Sequence, residues 1–184
     1  MSSASSPIVV VGAGAAGLAA AWAARRRGWE PLILDRAPEA GGAWIRMRAE
    51  MRCLSLRRHD RFADGAHPEG DGPHATAAEV ARGIASFAAR SRFDLRTGVE
   101  VLQVKRSAGD FVIETSAGAI RARRLLVASG EYERPFLPTL PGAFDGPADH
   151  VRRLRVDDVQ RGERVVVVGA GNSGAEIVAE LSRR

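Results

Sequence analysis

Residues 7–35, PIVVVGAGAAGLAAAWAARRRGWEPLILD, decide the fold. Pro7 to Val11 is a β-branched run, the pattern a fully buried parallel strand presents. It passes directly into Gly12-Ala13-Gly14-Ala15-Ala16-Gly17 and then into an alanine-rich segment through Arg27, which predicts a helix. Gly28 suits the stop of that helix, and Arg25 to Arg27 bring positive charge to the negative end of its dipole. Pro31 to Asp35 predicts a second buried strand. Strand, glycine turn, helix and strand in 29 residues make a βαβ unit.

A GxGxxG on its own is weak evidence. This one follows a strand, opens a helix and has Asp35 18 residues after Gly17, the context a dinucleotide-binding turn requires. Gly12 permits the tight turn, Gly14 lets backbone approach a pyrophosphate, and Gly17 lets the helix pack closely on the strand. The unpaired N–H groups at the helix start, at Ala15 and Ala16, act with the dipole to attract a diphosphate. Asp35 is placed to accept hydrogen bonds from both hydroxyls of an adenosine ribose.

Beyond this unit, residues 41–72 are irregular and rich in Gly, Arg and His, and predict mostly loop. Thr76 predicts the cap of a helix running to Arg90, with Glu79 as its capping-box partner, and Val80, Ile84 and Phe87 share one face. Short strands follow at Val99 to Lys105, Asp110 to Ser116 and Ala119 to Arg123. Leu125 to Ala128 predicts a further buried strand, ending at Ser129-Gly130. Pro135, Pro138, Pro141 and Pro147 then mark an extended connection and a domain boundary.

The pattern restarts 157 residues after Gly12. Arg164 to Val168 predicts a strand, followed by Gly169-Ala170-Gly171-Asn172-Ser173-Gly174 and an amphipathic helix. This is a repeated module, and the chain stops where its next strand is expected. A second ribose-reading residue would fall about 20 positions on, beyond Arg184. Two such turns suggest a flavin that accepts hydride from a nicotinamide. An internal duplication with only the first site occupied is the alternative.

Composition narrows the rest. The chain has 184 residues, 27 basic and 22 acidic, for a net charge of +5. All the basic residues except Lys105 are arginine, but they are scattered among acids with no interleaved aromatics, so nucleic-acid binding is not expected. No apolar run approaches the roughly 18 residues a membrane span needs. The opening MSSASS lacks the basic end and apolar run of a signal peptide, so a cytoplasmic protein is expected. Cys53, the single cysteine, excludes an internal disulfide and a cysteine-rich metal site. His59, His67 and His74 lack ligand-type company, so no metal is expected. Trp22 and Trp29 are assigned to packing and Cys53 to a small buried apolar role.

Several segments together resemble the flavin-containing monooxygenase family, the class B flavoprotein monooxygenases in the broad sense. Gly41-Gly42-Ala43-Trp44 is similar to that family's GGxW segment, which lies along the flavin. Met51-Arg52-Cys53-Leu54-Ser55 resembles the stretch after it, with Leu56 where many relatives have proline. Val99-Glu100-Val101 is similar to the strand whose backbone meets the adenine, and Arg36 to residues flanking the adenine ribose. Leu126-Val127-Ala128-Ser129-Gly130 resembles the ATG-type link between domains, with Ser129 for threonine. Phe144 to His150 fits the identifying FxGxxxH pattern. Leu154 stands where ordinary members carry Tyr or Phe and Baeyer–Villiger members carry Trp.

The resemblance implies an α/β, Rossmann-like three-layer fold with a parallel sheet, a small antiparallel β-meander and the start of a second Rossmann module. Residues 1–134 would bind FAD, 135–160 would form the linker with the FxGxxxH segment, and 161–184 would begin a domain for NADPH or NADH. Cofactor contacts are expected from Gly12, Gly14, Ala15, Ala16, Gly17, Asp35, Arg36, Gly41, Gly42, Ala43, Trp44, Val101, Ala128, Ser129 and Gly130. At the second module they are expected from Gly169, Gly171, Asn172, Ser173 and Gly174. The implied activity is NAD(P)H-dependent oxygenation of a small organic substrate through a peroxyflavin, with no protein acid–base triad. A competing reading is a non-catalytic, truncated FAD- or dinucleotide-binding module that needs a partner chain or a missing C-terminal part; an exposed face of Ile177, Val178 and Leu181 is expected to make the chain self-associate. A disulphide-reductase relative is set aside, because Cys53 has no partner cysteine.

Overall fold

The structure, a computed structural model, describes residues 4–132, 135–154 and 156–183. Contacts divide the chain into two compact units that meet between Glu131 and Tyr132.

The first unit is built on a six-stranded sheet in the order β3-β2-β1-β6-β5-β4. Strand β1 spans Ala4–Val11 and β2 spans Pro31–Leu34. They run parallel, joined through helix α1, Ala15–Arg25. Strand β1 begins three residues before the β-branched run because Ala4 to Ser6 pair with Ile120 to Ala122.

Helix α2 spans Ala77–Ser91, with the expected capping box complete. Thr76 Oγ1 accepts from the Glu79 amide at 3.3 Å, and the Glu79 carboxylate accepts from the Thr76 amide at 2.8 Å. Its predicted face is buried, with Ile84 at 0% and Phe87 at 2% exposure. Phe87 sits among Trp22, Phe62 and Phe93, with ring centroids 5.7–6.2 Å apart. Burying a side chain of this size contributes roughly 1.5–3 kcal/mol. Gly83 makes room for Phe62, whose ring occupies the place a Cβ would take.

Three features differ from the sequence expectation. Strand β3, Asp94–Arg96, was not anticipated; it exists through parallel pairing with Leu32 to Leu34. The two strands expected over 119–128 are one, β6, Gly118–Val127. It pairs antiparallel with β5, Asp110–Thr115, and parallel with β1. Its apolar end is also not buried, since Val127 is 70% exposed. Strand β4, Val101–Ser107, completes the meander.

Alternation along the central strands produces three layers. Val10 and Ile33 face the helices, with Leu18, Ala21, Ile84 and Phe87. Val9, Leu32 and Leu34 face the opposite way and pack with Ile113, Ile120 and Ala122 of the meander. The period-2 alternation of a strand makes this two-sided burial possible.

In the second unit helix α3 spans Asn172–Leu181 and packs against a short 3-10 turn at Val156–Asp158. The strand expected at Arg164 to Val168 does not form. A strand is a pairing, and no described residue pairs with these, so Val166 is left 76% exposed. The apolar face expected to be open on α3 is partly closed: Ile177 is buried and Val178 is exposed. No described helix is long and apolar enough to cross a membrane.

Candidate functional site

The Gly12 to Gly17 turn has no room for a side chain at Gly12 or Gly17. Gly12 has a φ of +109°, and a Cβ there would run into the Ala128 carbonyl. A Cβ on Gly17 would overlap the Gly12 carbonyl oxygen, which is the close helix–strand approach expected of the third glycine. Gly14 faces a neighbour that sequence reasoning did not supply. Its Cβ would lie 3.4 Å from the Gly42 Cα, so two glycine segments meet backbone to backbone. The Gly41 amide donates to the Ala13 carbonyl at 3.1 Å and fastens them together.

Helix α1 begins with Gly14 as N-cap and no side-chain cap. Its first internal bond runs from the Leu18 amide to the Gly14 carbonyl at 3.0 Å. The amides of Ala15, Ala16 and Gly17 therefore have no acceptor among the described residues, and Ala15 and Ala16 are exposed. Three unpaired donors at the positive end of a helix dipole suit an anion.

Asp35 follows β2 directly and is half-buried. Its Oδ2 accepts from the Ala13 amide at 2.6 Å and its Oδ1 from the Ala37 amide at 2.8 Å. Each oxygen has a further lone pair, so the carboxylate retains capacity for two more donors. Beside it, Arg36, Ala37, Ile45, Arg46, Gly98 and Glu100 line a cleft of about 590 Å3. The Val99 amide donates to the Asp35 carbonyl at 2.9 Å, and Arg36 Nη1 lies 3.7 Å from Glu100 Oε1. Arg36 and the 98–100 segment are thus brought to the same place as Asp35. Val101 instead turns its side chain into the meander core.

Gly42 to Arg46 form a 3-10 turn in which Trp44 is half-buried and packs on the α1/α2 core. Ala43 is half-buried beside it. Ala128 follows β6, donating its amide to the Val11 carbonyl at 2.8 Å, and Ser129 and Gly130 are exposed beyond it.

Arg57, which sequence reasoning missed, organises the long loop before α2. Its guanidinium donates to the carbonyls of Pro68, Asp71, Gly72 and His74 and to Glu79 Oε2, at 2.8–3.3 Å. The hydrogen bond from the Thr76 amide, against the opposing effect of burial and joined by that from Arg57, holds the Glu79 carboxyl below its usual value. Cys53 is half-buried nearby, and burial pushes its thiol pKa up, helped by the Asp60 carboxylate.

The second glycine turn repeats the first by itself. Gly169 has a φ of +113°, Gly171 is the N-cap of α3 with φ −76° against −79° at Gly14, and a Cβ on Gly174 would overlap the Gly169 carbonyl oxygen. Asn172 and Ser173 open the helix, and the Ala175 amide makes its first internal bond, to the Gly171 carbonyl at 3.0 Å. In the FxGxxxH segment Phe144 is exposed, Gly146 lies against its ring, and His150 Nδ1 accepts from the Arg152 amide at 3.2 Å.

A glycine turn between a parallel strand and a helix, with a carboxylate after the second strand, defines a dinucleotide-binding type of fold. The chain belongs to the family described as pyridine nucleotide-disulphide oxidoreductase, whose model matches residues 9–184. Kinship with that family therefore stands, against the sequence reading, while Cys53 remains without a cysteine partner in these residues. Relatives include an uncharacterized oxidoreductase, CzcO, of Bacillus velezensis, 28% identical over 95% of this chain and 51% of its own. The indole-3-pyruvate monooxygenase YUCCA1 of Oryza sativa subsp. japonica is 32% identical, over 95% and 45%. A solved flavin-containing monooxygenase from Stenotrophomonas maltophilia superposes with a TM-score of 0.91 at 28% identity, covering 98% of this chain and 56% of that one. The flavin-monooxygenase resemblance is thus borne out, and the chain spans about half the length of the curated relatives it matches.

Proposed function

We propose that residues 1–134 form the FAD-binding domain of an NAD(P)H-dependent flavin monooxygenase acting on a small organic substrate. Residues 135–160 are its linker and 161–184 open its nicotinamide-nucleotide domain. One observation carries this reading: three unpaired amides at the start of α1 lie at a turn whose first and third glycines have no room for a side chain, beside a carboxylate with lone pairs to spare.

These residues fit the group. The amides of Ala15, Ala16 and Gly17 would hold the diphosphate, and Asp35 would accept from the ribose hydroxyls. The cleft at Arg36 and Glu100 would take the adenine, and Gly41 to Trp44 would border the flavin. Bound there, FAD supplies a redox ring able to take hydride from a nicotinamide and deliver electrons to dioxygen. The chain's own work is to bind, orient and exclude water. The second turn, with Gly169, Gly171, Asn172, Ser173 and Gly174, offers the same kind of phosphate cradle for NADPH or NADH.

Titration with FAD, followed by flavin fluorescence and the visible spectrum, tests the reading. Gly14→Val pushes a branched side chain against the Gly42 backbone, where even a Cβ would sit 3.4 Å away, and narrows the cradle. At least a tenfold loss of FAD affinity is expected with the fold retained by circular dichroism. Equal affinity in both proteins contradicts the assignment.

A further inference from the structure

We infer that Asp35 is a positioning residue for the phosphate-binding turn, clamping the Gly12–Gly14 backbone through the Ala13 amide, in addition to any contact with a ribose. This deepens the FAD reading and rests on it for the ligand. Ala13 is buried, so an unmet amide donor there costs free energy, and the half-buried Asp35 carboxylate meets it at 2.6 Å. The second oxygen is fixed by the Ala37 amide at 2.8 Å, so the carboxylate cannot swing away without releasing two donors.

The molecule contains its own control. The second glycine turn has the same φ signature and the same overlap between third and first glycine. Among the described residues, however, nothing accepts the Ala170 amide, and Ala170 is exposed. Glycine sequence alone therefore selects the shape of the turn. What Asp35 adds is persistence: a backbone held in one geometry before any ligand arrives, which removes an ordering cost from binding.

Hydrogen exchange of the ligand-free chain, read amide by amide by NMR, tests this without reference to FAD. The Ala13 amide should exchange at least tenfold more slowly than Ala170. Asp35→Asn keeps the shape but offers one acceptor oxygen, so Ala13 or Ala37 should lose at least tenfold protection. Asp35→Ala should deprotect both. Val10 and Ile33, in the strands, should be unchanged, which a general loss of stability would not allow. Equal exchange at Ala13 and Ala170, or protection kept at both amides in both variants, overturns the clamp.

Inorganic pyrophosphate, which has no ribose, supplies the binding arm through shifts of the Ala15 amide. If Asp35 acted only on a ribose, removing its negative charge would leave pyrophosphate binding equal or tighter. The clamp predicts binding at least threefold weaker in Asp35→Ala, and equal or tighter binding overturns it. No pyrophosphate binding by the unmodified chain would sink the FAD reading above, while the exchange result alone would still decide the clamp.

Discussion

Replacing Gly17 with alanine sets two opposed effects against each other, and the structure decides the sign. Gly17 is an ordinary helical position with no left-handed φ, so alanine, which leaves the unfolded chain less freedom to lose, gains about 0.8–1 kcal/mol of helix propensity. Against this, the new Cβ would overlap the Gly12 carbonyl oxygen, with the Gly12 carbonyl carbon at 2.9 Å and the Ala128 Cβ at 3.4 Å. Two of those atoms are backbone of the turn itself, so no rotamer relieves the overlap. Helix α1 must move off β1, opening the packing of Leu18 and Ala21, both fully buried. Overpacking of this kind costs typically 1–3 kcal/mol, occasionally more, and an overlap with rigid backbone belongs at the upper end. The net expectation is a loss of about 2 kcal/mol. At a urea m-value of about 2 kcal/mol/M this lowers the unfolding midpoint by about 1 M, read by far-UV circular dichroism. A midpoint equal to or above that of the unmodified chain would show propensity to be the larger effect and would refute the close-approach argument.

Arg57→Met should remove the anchor of the loop before α2, costing about 3 kcal/mol because Glu79 is left half-enclosed without its cation; trypsin should then cut after Arg58 and Arg61 much faster, and unchanged cleavage would contradict the hub. The Glu79 carboxyl sits below its unfolded value of about 4.3, so its stabilising contribution is complete above that pH and disappears as pH falls through the folded value. Urea midpoints between pH 7 and pH 3 should fall less for Glu79→Gln than for the unmodified chain, and identical profiles would remove Glu79 from the account. With its thiol pKa raised by burial and by Asp60, Cys53 should react with a soluble disulfide reagent at neutral pH severalfold more slowly than free cysteine; a matching or faster rate would contradict that placement.

The parts legible in the sequence were those set by local rules. The glycine turn, the helix it opens and the strand ending at Asp35 follow from residues close in the chain. So does the capping box, in which Thr76 and Glu79 find each other across three positions. Phe87 and its face follow from helical period.

What escaped depends on distant pairing. Asp94-Leu95-Arg96 alternates polar and apolar over too few residues to stand out, and the neighbouring β2 makes it a strand. Arg124 looked like a break between two strands, yet β6 continues through it because β1, paired with β6 from Ile120, runs on to Val127 after β5 has stopped at Ala122. Arg164 to Val168 has strand composition and no partner among the described residues. Arg57 bonds mainly to backbone carbonyls, which no residue pattern reveals. In the site, the sequence marks Asp35 as a candidate ribose contact, but its grip on Ala13 and the meeting of Gly14 with Gly42 depend on the fold bringing distant segments together.

The central claim is that FAD lies along the first glycine turn, and amide-resolved NMR of the chain titrated with FAD tests it most directly. The account predicts that the largest shifts cluster at Ala15, Ala16 and Gly17, at Asp35 to Ala37, and at Gly42 to Trp44. The second turn, at Asn172 to Gly174, should move far less. No perturbation at the first cluster, or one confined to the second turn, would contradict it.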